Sequence, residues 1–199
     1  MFLGEGAASA AEVAALAHGL RARQLDIGWA VETILRSNTF FADAHIGNRV
    51  VGPIEYVVNA ARALEMFDPA PSTLVLADWA ARLGQDLFYP PNVGGWAGGR
   101  AWISTRSVVG RANYAAALVG GDKVGRLPFD ALPLAHQHGR GRDLDDLLTF
   151  FGELLLGTSP TPAWRARLAA ALERKRGTDA DTARRAVAVI LASPEAQLG

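Results

Sequence analysis

Two short stretches of the chain concentrate the side chains able to do chemistry. His45, Asn48, Arg49 and Glu55 form one set, and Gln85, Asn92, Arg100, Arg111 and Asn113 form the other. An imidazole, a carboxylate and guanidinium groups gathered on one pocket would suit proton transfer and anion clamping. The same residues are better suited to a buried network, in which Arg49 or Arg111 ties loop carbonyls and Glu55 balances the charge. Trp96 and Trp102 add a third kind of chemistry. Their large amphipathic rings stack well on sugar faces when exposed, and plug gaps between helices when buried. His136-x-His138 with Asp143 offers two metal-ligand types at close spacing, but a zinc site wants three protein ligands in fixed geometry, and a Gly-Arg-Gly-Arg stretch intervenes. Asp43-x-His45 is equally thin, and no metal is expected. Ser104, Thr105 and Ser107 fall at a helix start, where capping explains them. There is no nucleophile elbow and no P-loop, and GGWAGG lacks the surrounding βαβ unit of a dinucleotide site. No cofactor is expected.

Helices must position these groups. Ser9 and Glu12 make a capping box, after which Val13, Leu16, Ala17 and Leu20 line one face. Asp26 can cap a second helix with Ile27, Val31, Ile34 and Leu35 inward. Pro53 suits the first turn of a third, followed by Ile54, Val57, Val58, Ala61 and Leu64 at helical spacing. Ser72 opens a fourth, with Leu76, Trp79, Ala80 and Leu83 as its stripe, and Ser104 or Thr105 a fifth, carrying Val109, Ala112, Ala116 and Val119. A sixth runs through Leu144, Leu147, Leu148, Phe151, Leu154 and Leu155 to Gly157. Thr161-Pro162 starts a seventh, and Asp179 an eighth that buries Ala186, Val187, Ile190 and Leu191. No segment reads as a strand. The expectation is an all-α single domain over residues 1–199, of about eight helices, with a Pro/Gly/Trp-rich clasp at 84–102 and a long irregular loop at 120–142.

Composition limits what such a domain does. Twenty basic and twenty acidic residues balance to zero, against the clustered basic face that nucleic acid requires. Arg140, Arg142 and the Arg174–Lys175–Arg176 run have acidic neighbours and read as solvated surface. The absence of cysteine excludes disulfides and thiolate chemistry. No apolar run is long enough to cross a membrane, and residues 1–13 lack the basic and apolar regions of a secretion signal.

Three segments together resemble a known family. They are His45-Ile46-Gly47-Asn48-Arg49-Val50-Val51-Gly52-Pro53-Ile54-Glu55-Tyr56-Val57-Val58 continuing to Ala61-Arg62-Ala63-Leu64, the stretch Leu83-Gly84-Gln85-Asp86-Leu87-Phe88-Tyr89-Pro90-Pro91-Asn92-Val93-Gly94-Gly95-Trp96-Ala97-Gly98-Gly99-Arg100-Ala101-Trp102-Ile103, and the ending Ser193-Pro194-Glu195. They resemble the C-terminal part of the bacterial family called domain of unknown function 1800, over most of residues 30–118 and the last helix. Ala97 stands where the family usually has proline. The resemblance implies a longer family architecture, of which this chain is expected to be the C-terminal half or a short variant missing an N-terminal helical portion. It also implies export in many members, and a gene neighbourhood shared with a sulfatase-like family, domain of unknown function 1501. It implies no activity.

The reading these features support is a non-catalytic binding or scaffold module of an exported or envelope-associated assembly. Its partner would be a sulfatase-like protein or a surface polysaccharide, and its surfaces Gln85, Asn92, Trp96, Arg100, Trp102 and Arg111 with His45, Arg49 and Glu55. The alternative is a glycan hydrolase whose site, with His45, Glu55 and Arg100, is shared with the missing N-terminal portion. Convergence of His45, Glu55, Arg100 and Arg111 on an open pocket would favour the enzyme, and their mutual burial would disfavour it.

Overall fold

The computed structural model describes residues 3, 6, 8–121, 124, 127–172 and 179–199, and the backbone of 173. The Arg174–Arg176 run and part of the 120–142 stretch lie outside these residues. The described chain is all-helical, with nine α-helices and no strand among the described residues. It forms two compact units, one of residues 1–50 with 198–199 and one of residues 51–197.

The first unit holds α1 (Ala10–Ala22), α2 (Ile27–Leu35) and a 3-10 turn at Asp43–His45. The Ser9–Glu12 capping box forms, with the Glu12 carboxylate accepting from the Ser9 backbone N–H at 2.7 Å. The Asp26 side chain accepts from the Trp29 N–H, fixing the start of α2. A hydrogen bond from Thr39 and those from Ser9 hold the Glu12 carboxyl down at about 2. The expected inward faces are not buried. Val13 is 56% exposed and Ile27 63%, Leu35 is exposed, and Ala30 is the one buried residue of the two helices. Two short helices cannot cover apolar residues that continue around both of them. An antiparallel bridge joins Val50 to Leu198, flanked by paired Arg49 and Gly199 backbones at 2.8 and 3.3 Å.

The second unit contains α3 (Pro53–Ala63), α4 (Thr73–Arg82), α5 (Thr105–Gly120), α6 (Ala131–Gln137), α7 (Leu144–Leu156), α8 (Pro162–Glu173) and α9 (Asp179–Ala192). Helix α9 is the hub. It packs on α5 and α7, and also touches α6 and α8, while α3 lies on α4 and α7. Its Ala186, Val187, Ile190 and Leu191 are buried as their spacing predicts, against Tyr114, Leu118, Leu148 and Phe151 of the same core.

Two sequence expectations fail here for identifiable reasons. The stretch 120–142 is not wholly irregular, because α6 lies inside it with Ala131, Leu134 and Ala135 buried. Seven residues are too few to show a period. Pro133 also disguises the helix, although a proline in the first turn removes no intrahelical bond. The Asp130 side chain caps it by accepting from the Leu132 N–H. The second failure is in α5, where the face marked by Val109 and Ala116 points outward, with Val109 55% exposed. The buried face runs Ser107, Arg111, Tyr114, Ala115, Leu118 and Val119. Two polar residues on the inner face shift the apparent apolar stripe.

The loop before α7 is fastened electrostatically. Asp146, nearly buried, accepts from the Arg142 and Gly141 backbone N–H groups at 3.2 and 2.9 Å, and from the Arg142 and Arg140 side chains. These bonds, those to Arg142 foremost, hold its carboxyl at about 2, below the ordinary 3.8. A depressed folded value contributes stability above the unfolded value that is lost as pH falls through the folded one. The expected outcome is that Asp146→Asn flattens the dependence of Tm on pH between about pH 4 and pH 2, measured by circular dichroism at fixed ionic strength.

Candidate functional site

The clasp begins where α4 stops. Gly84 adopts a φ of +106°, and the Gln85 backbone N–H closes the turn on the Ala80 carbonyl at 2.9 Å. The Gln85 side-chain carbonyl then accepts from the Ile54 N–H at 3.1 Å, tying the loop to the first turn of α3. Farther on, the Asn92 side chain accepts from the Gly94 N–H at 2.8 Å, as an Asx turn requires. Gly95 and Gly98 take φ values of +82° and +74°, which side chains other than glycine rarely adopt. A 3-10 turn at Gly99–Trp102 delivers the chain to Ser104, which caps α5. The Ser107 hydroxyl donates to the Trp102 carbonyl at 2.7 Å, so the loop's far end is also fixed.

What this frame presents is apolar. Phe88 is 90% exposed and Tyr89 76%, and Val93 is fully exposed. Phe88 also sits at a φ of +67°, a left-handed conformation that costs a residue of its shape free energy. Trp96 and Trp102 are half-buried, and neither belongs to the core cluster, so Trp96 is not a core plug. Trp164 is the buried tryptophan of that cluster.

On α5, Arg111 is completely buried. Its Nη1 donates to the Gln197 side-chain carbonyl at 2.9 Å and its Nη2 to the Val51 carbonyl at 2.6 Å. Its guanidinium lies 4.9 Å from the centre of the Tyr56 ring. The Tyr56 hydroxyl donates toward the Arg111 and Leu191 carbonyls at 3.2 and 2.9 Å. Burial pulls the guanidinium below its usual range and pushes the Tyr56 phenol above its own. No carboxylate pairs with Arg111 among the described residues, so neutral carbonyls and a π face hold this cation. Glu55 is half-buried and accepts from the Gly52 N–H at 2.9 Å, closing the start of α3.

The structure therefore joins Gln85, Glu55 and Arg111 to a backbone scaffold, each fastening one strut of it. Arg100 is exposed, as is Asn113. His45 and Arg49 belong to the first unit, where the His45 Nδ1 lies 3.2 Å from the Asn48 side-chain nitrogen. The two halves of the His45–Val58 motif thus fall into different units. His136 and His138 part company as well. His136 lines a cavity of about 240 Å3 with Asp143 and Asp179, while His138 pairs with Glu65 at 2.9 Å against Phe150. Among the described residues no group of three or more His, Cys, Asp or Glu side chains could hold a metal ion. No helix among them is long and apolar enough to cross a membrane.

Sequence reasoning missed Tyr56, Tyr114 and Gln197 as fastenings, and Phe88 and Tyr89 as exposed surface. Tyr56 and Tyr114 could have been found, since each falls in register with buried neighbours on α3 and α5. The first unit carries a separate apolar cavity of about 450 Å3, lined by Leu3, Val13, Leu16, Trp29, Ile34 and Thr39, with no candidate residue in its wall.

A family model described as "Protein of unknown function (DUF1800)" matches residues 1–198. The chain belongs to this family. The match reaches beyond the three segments that carried the resemblance. No curated protein and no solved structure matches the chain. In this DUF1800 protein the Pro-Pro-Asn-Val-Gly-Gly-Trp string thus lies in a loop anchored at both ends, with Phe88 and Tyr89 just before it turned to solvent.

Proposed function

We propose that this DUF1800 protein is a non-catalytic binding module of an exported or envelope-associated assembly, and that it holds a surface polysaccharide on the aromatic tip of the clasp. The observation that carries this reading is the exposure of Phe88 and Tyr89 on a loop whose backbone is fastened on both sides. Apolar residues exposed side by side, as Phe88 and Tyr89 are with Val93 on the same loop, favour an interaction surface over scattered exposure. Aromatic rings suit pyranose faces, because the ring presents a negative π cloud to the sugar's C–H groups. Holding Phe88 in a left-handed conformation gives a strained position a use, as functional loops do. The motif's titratable groups support a binding role for a different reason. Arg111 is occupied as a strut, and neither the 240 nor the 260 Å3 cavity of this unit is lined by Glu55, Arg100 or Arg111.

The test separates binding from folding. Phe88→Ala and Tyr89→Ala are expected to leave Tm within about 1–2 °C of the parent, since surface substitutions change stability by less than about 0.5 kcal/mol. Each should weaken retardation in polysaccharide-containing gels by about tenfold, the loss of one stacked ring at about 1.4 kcal/mol. Unaltered retardation in both variants would sink the reading. Capture of a sulfatase-like protein that survives both substitutions would move the partner surface elsewhere.

A further inference from the structure

At the foot of the clasp lies a cavity of about 260 Å3, walled by Arg82, Gly84, Trp102, Ser104, Arg106 and Ser107 among others. Its charge is one-sided. Two arginines and no aspartate or glutamate are among its lining residues, in a chain whose charges otherwise balance. Arg82 is partly neutralised by Asp78 at 2.7 Å and packs over the Trp79 ring, both on its own helix. Arg106 makes no ion pair among the described residues. The start of α5 does not account for the site, because the Ser104 side chain already accepts from the Ser107 N–H, and the Ser107 hydroxyl is spent on the Trp102 and Ser104 carbonyls. The positive character comes from the arginines. The half-buried Trp102 indole supplies the one large aromatic surface of the wall.

We infer that this cavity takes an oxyanion carried on a sugar residue, a sulfate ester or a carboxylate, so that the polysaccharide held by the clasp is an anionic one. This rests on the reading of the clasp as a saccharide-binding loop and adds the charge of its ligand. A guanidinium offers paired donors that match the oxygens of sulfate and carboxylate. The volume lies below the range of about 300–1,000 Å3 usual for drug-sized ligands, which fits one charged sugar residue. A positive cavity beside an aromatic wall also explains how one loop can hold a polymer loosely by stacking and select it by charge.

Affinity electrophoresis with dextran, dextran sulfate and carboxymethyl-dextran tests this. The proteins are the parent, Arg106→Gln, the pair Arg82→Gln/Arg106→Gln, and a charge-matched control, Arg21→Gln/Arg36→Gln. The charged polymers should retard the parent and the control at least tenfold more strongly than dextran does. Arg106→Gln alone should lose most of that preference, the pair all of it, and 0.3 M salt should suppress it in the parent. Whichever charged polymer retards more strongly distinguishes sulfate from carboxylate. Equal retardation by all three polymers, unaltered in the arginine variants, overturns the inference and leaves the aromatic tip as the whole site. Equal losses in the control and in the Arg82/Arg106 pair overturn it as unspecific attraction. No retardation by any of them overturns it too, and the clasp reading is then decided by Phe88→Ala and Tyr89→Ala on uncharged glycans.

Discussion

Arg111→Ala lowers the stability of the second unit by about 3–5 kcal/mol, from lost hydrogen bonds and a new cavity together, and so lowers Tm by about 6–20 °C. Two effects add. The substitution leaves the Gln197 side-chain carbonyl and the Val51 carbonyl without their donor, at about 1–3 kcal/mol for each buried group left unsatisfied. It also opens a cavity where one of the largest fully buried side chains stood. One effect opposes them, since a cation buried without a carboxylate pays desolvation that alanine does not. Arg111→Met separates out the cavity effect. It fills most of the volume and removes the charge, so its Tm should fall between the parent's and that of Arg111→Ala. Scanning calorimetry of the three proteins checks the order. If Arg111→Ala melted with the parent, Arg111 would not be a strut, and a role in chemistry would have to be reconsidered.

Tyr114→Ala should cost about as much, 3–5 kcal/mol on the scale for large aromatic truncations in a core. Its ring is fully buried, meets Tyr56 and Trp79 edge-on at 5.9 and 5.5 Å, and its hydroxyl donates to the Val57 carbonyl at 2.7 Å. Tyr114→Phe should recover all but about 1 kcal/mol, the net worth of one such hydrogen bond. Trp96→Ala is the contrast. A plug between helices would cost as much as Tyr114, whereas a half-buried ring outside the core should cost about 1 kcal/mol. Equilibrium urea unfolding of the three variants ranks them, and a Trp96→Ala loss equal to that of Tyr114→Ala would restore the plug.

Much of the fold was legible because its signals are local. Ser9 with Glu12, Asp26, Pro53 and Gly157 each act within one turn of their own helix, and each does in the structure what its position implies. The buried face of α9 was legible because it is purely apolar. The face of α5 was not, since hydropathy cannot credit Ser107 and Arg111 with an inward position that only distant partners, Val51 and Gln197, make tolerable. The same limit applied to the candidate site. Glu55 and Arg111 stand out in the sequence as charged residues in or just after the two motif segments. Whether they meet solvent or carbonyls depends on residues far away in sequence, such as Gln197 on the final turn. Exposure of Phe88 and Tyr89 was hidden for the opposite reason, since aromatic residues are read as core unless the backbone turns them outward.

The most direct measurement follows the aromatic ring resonances of the protein by NMR during titration with polysaccharides. The chain has three tyrosines, of which Tyr56 and Tyr114 are buried, so Tyr89 reports alone on the surface. The expected result is a saturable shift of the Tyr89 and Phe88 rings, with those of Tyr56 and Tyr114 unmoved and the polymer recovered at its original length. Shifts confined to His45 or to the surroundings of Glu55, or release of shortened glycan, would contradict a binding clasp and favour the hydrolase.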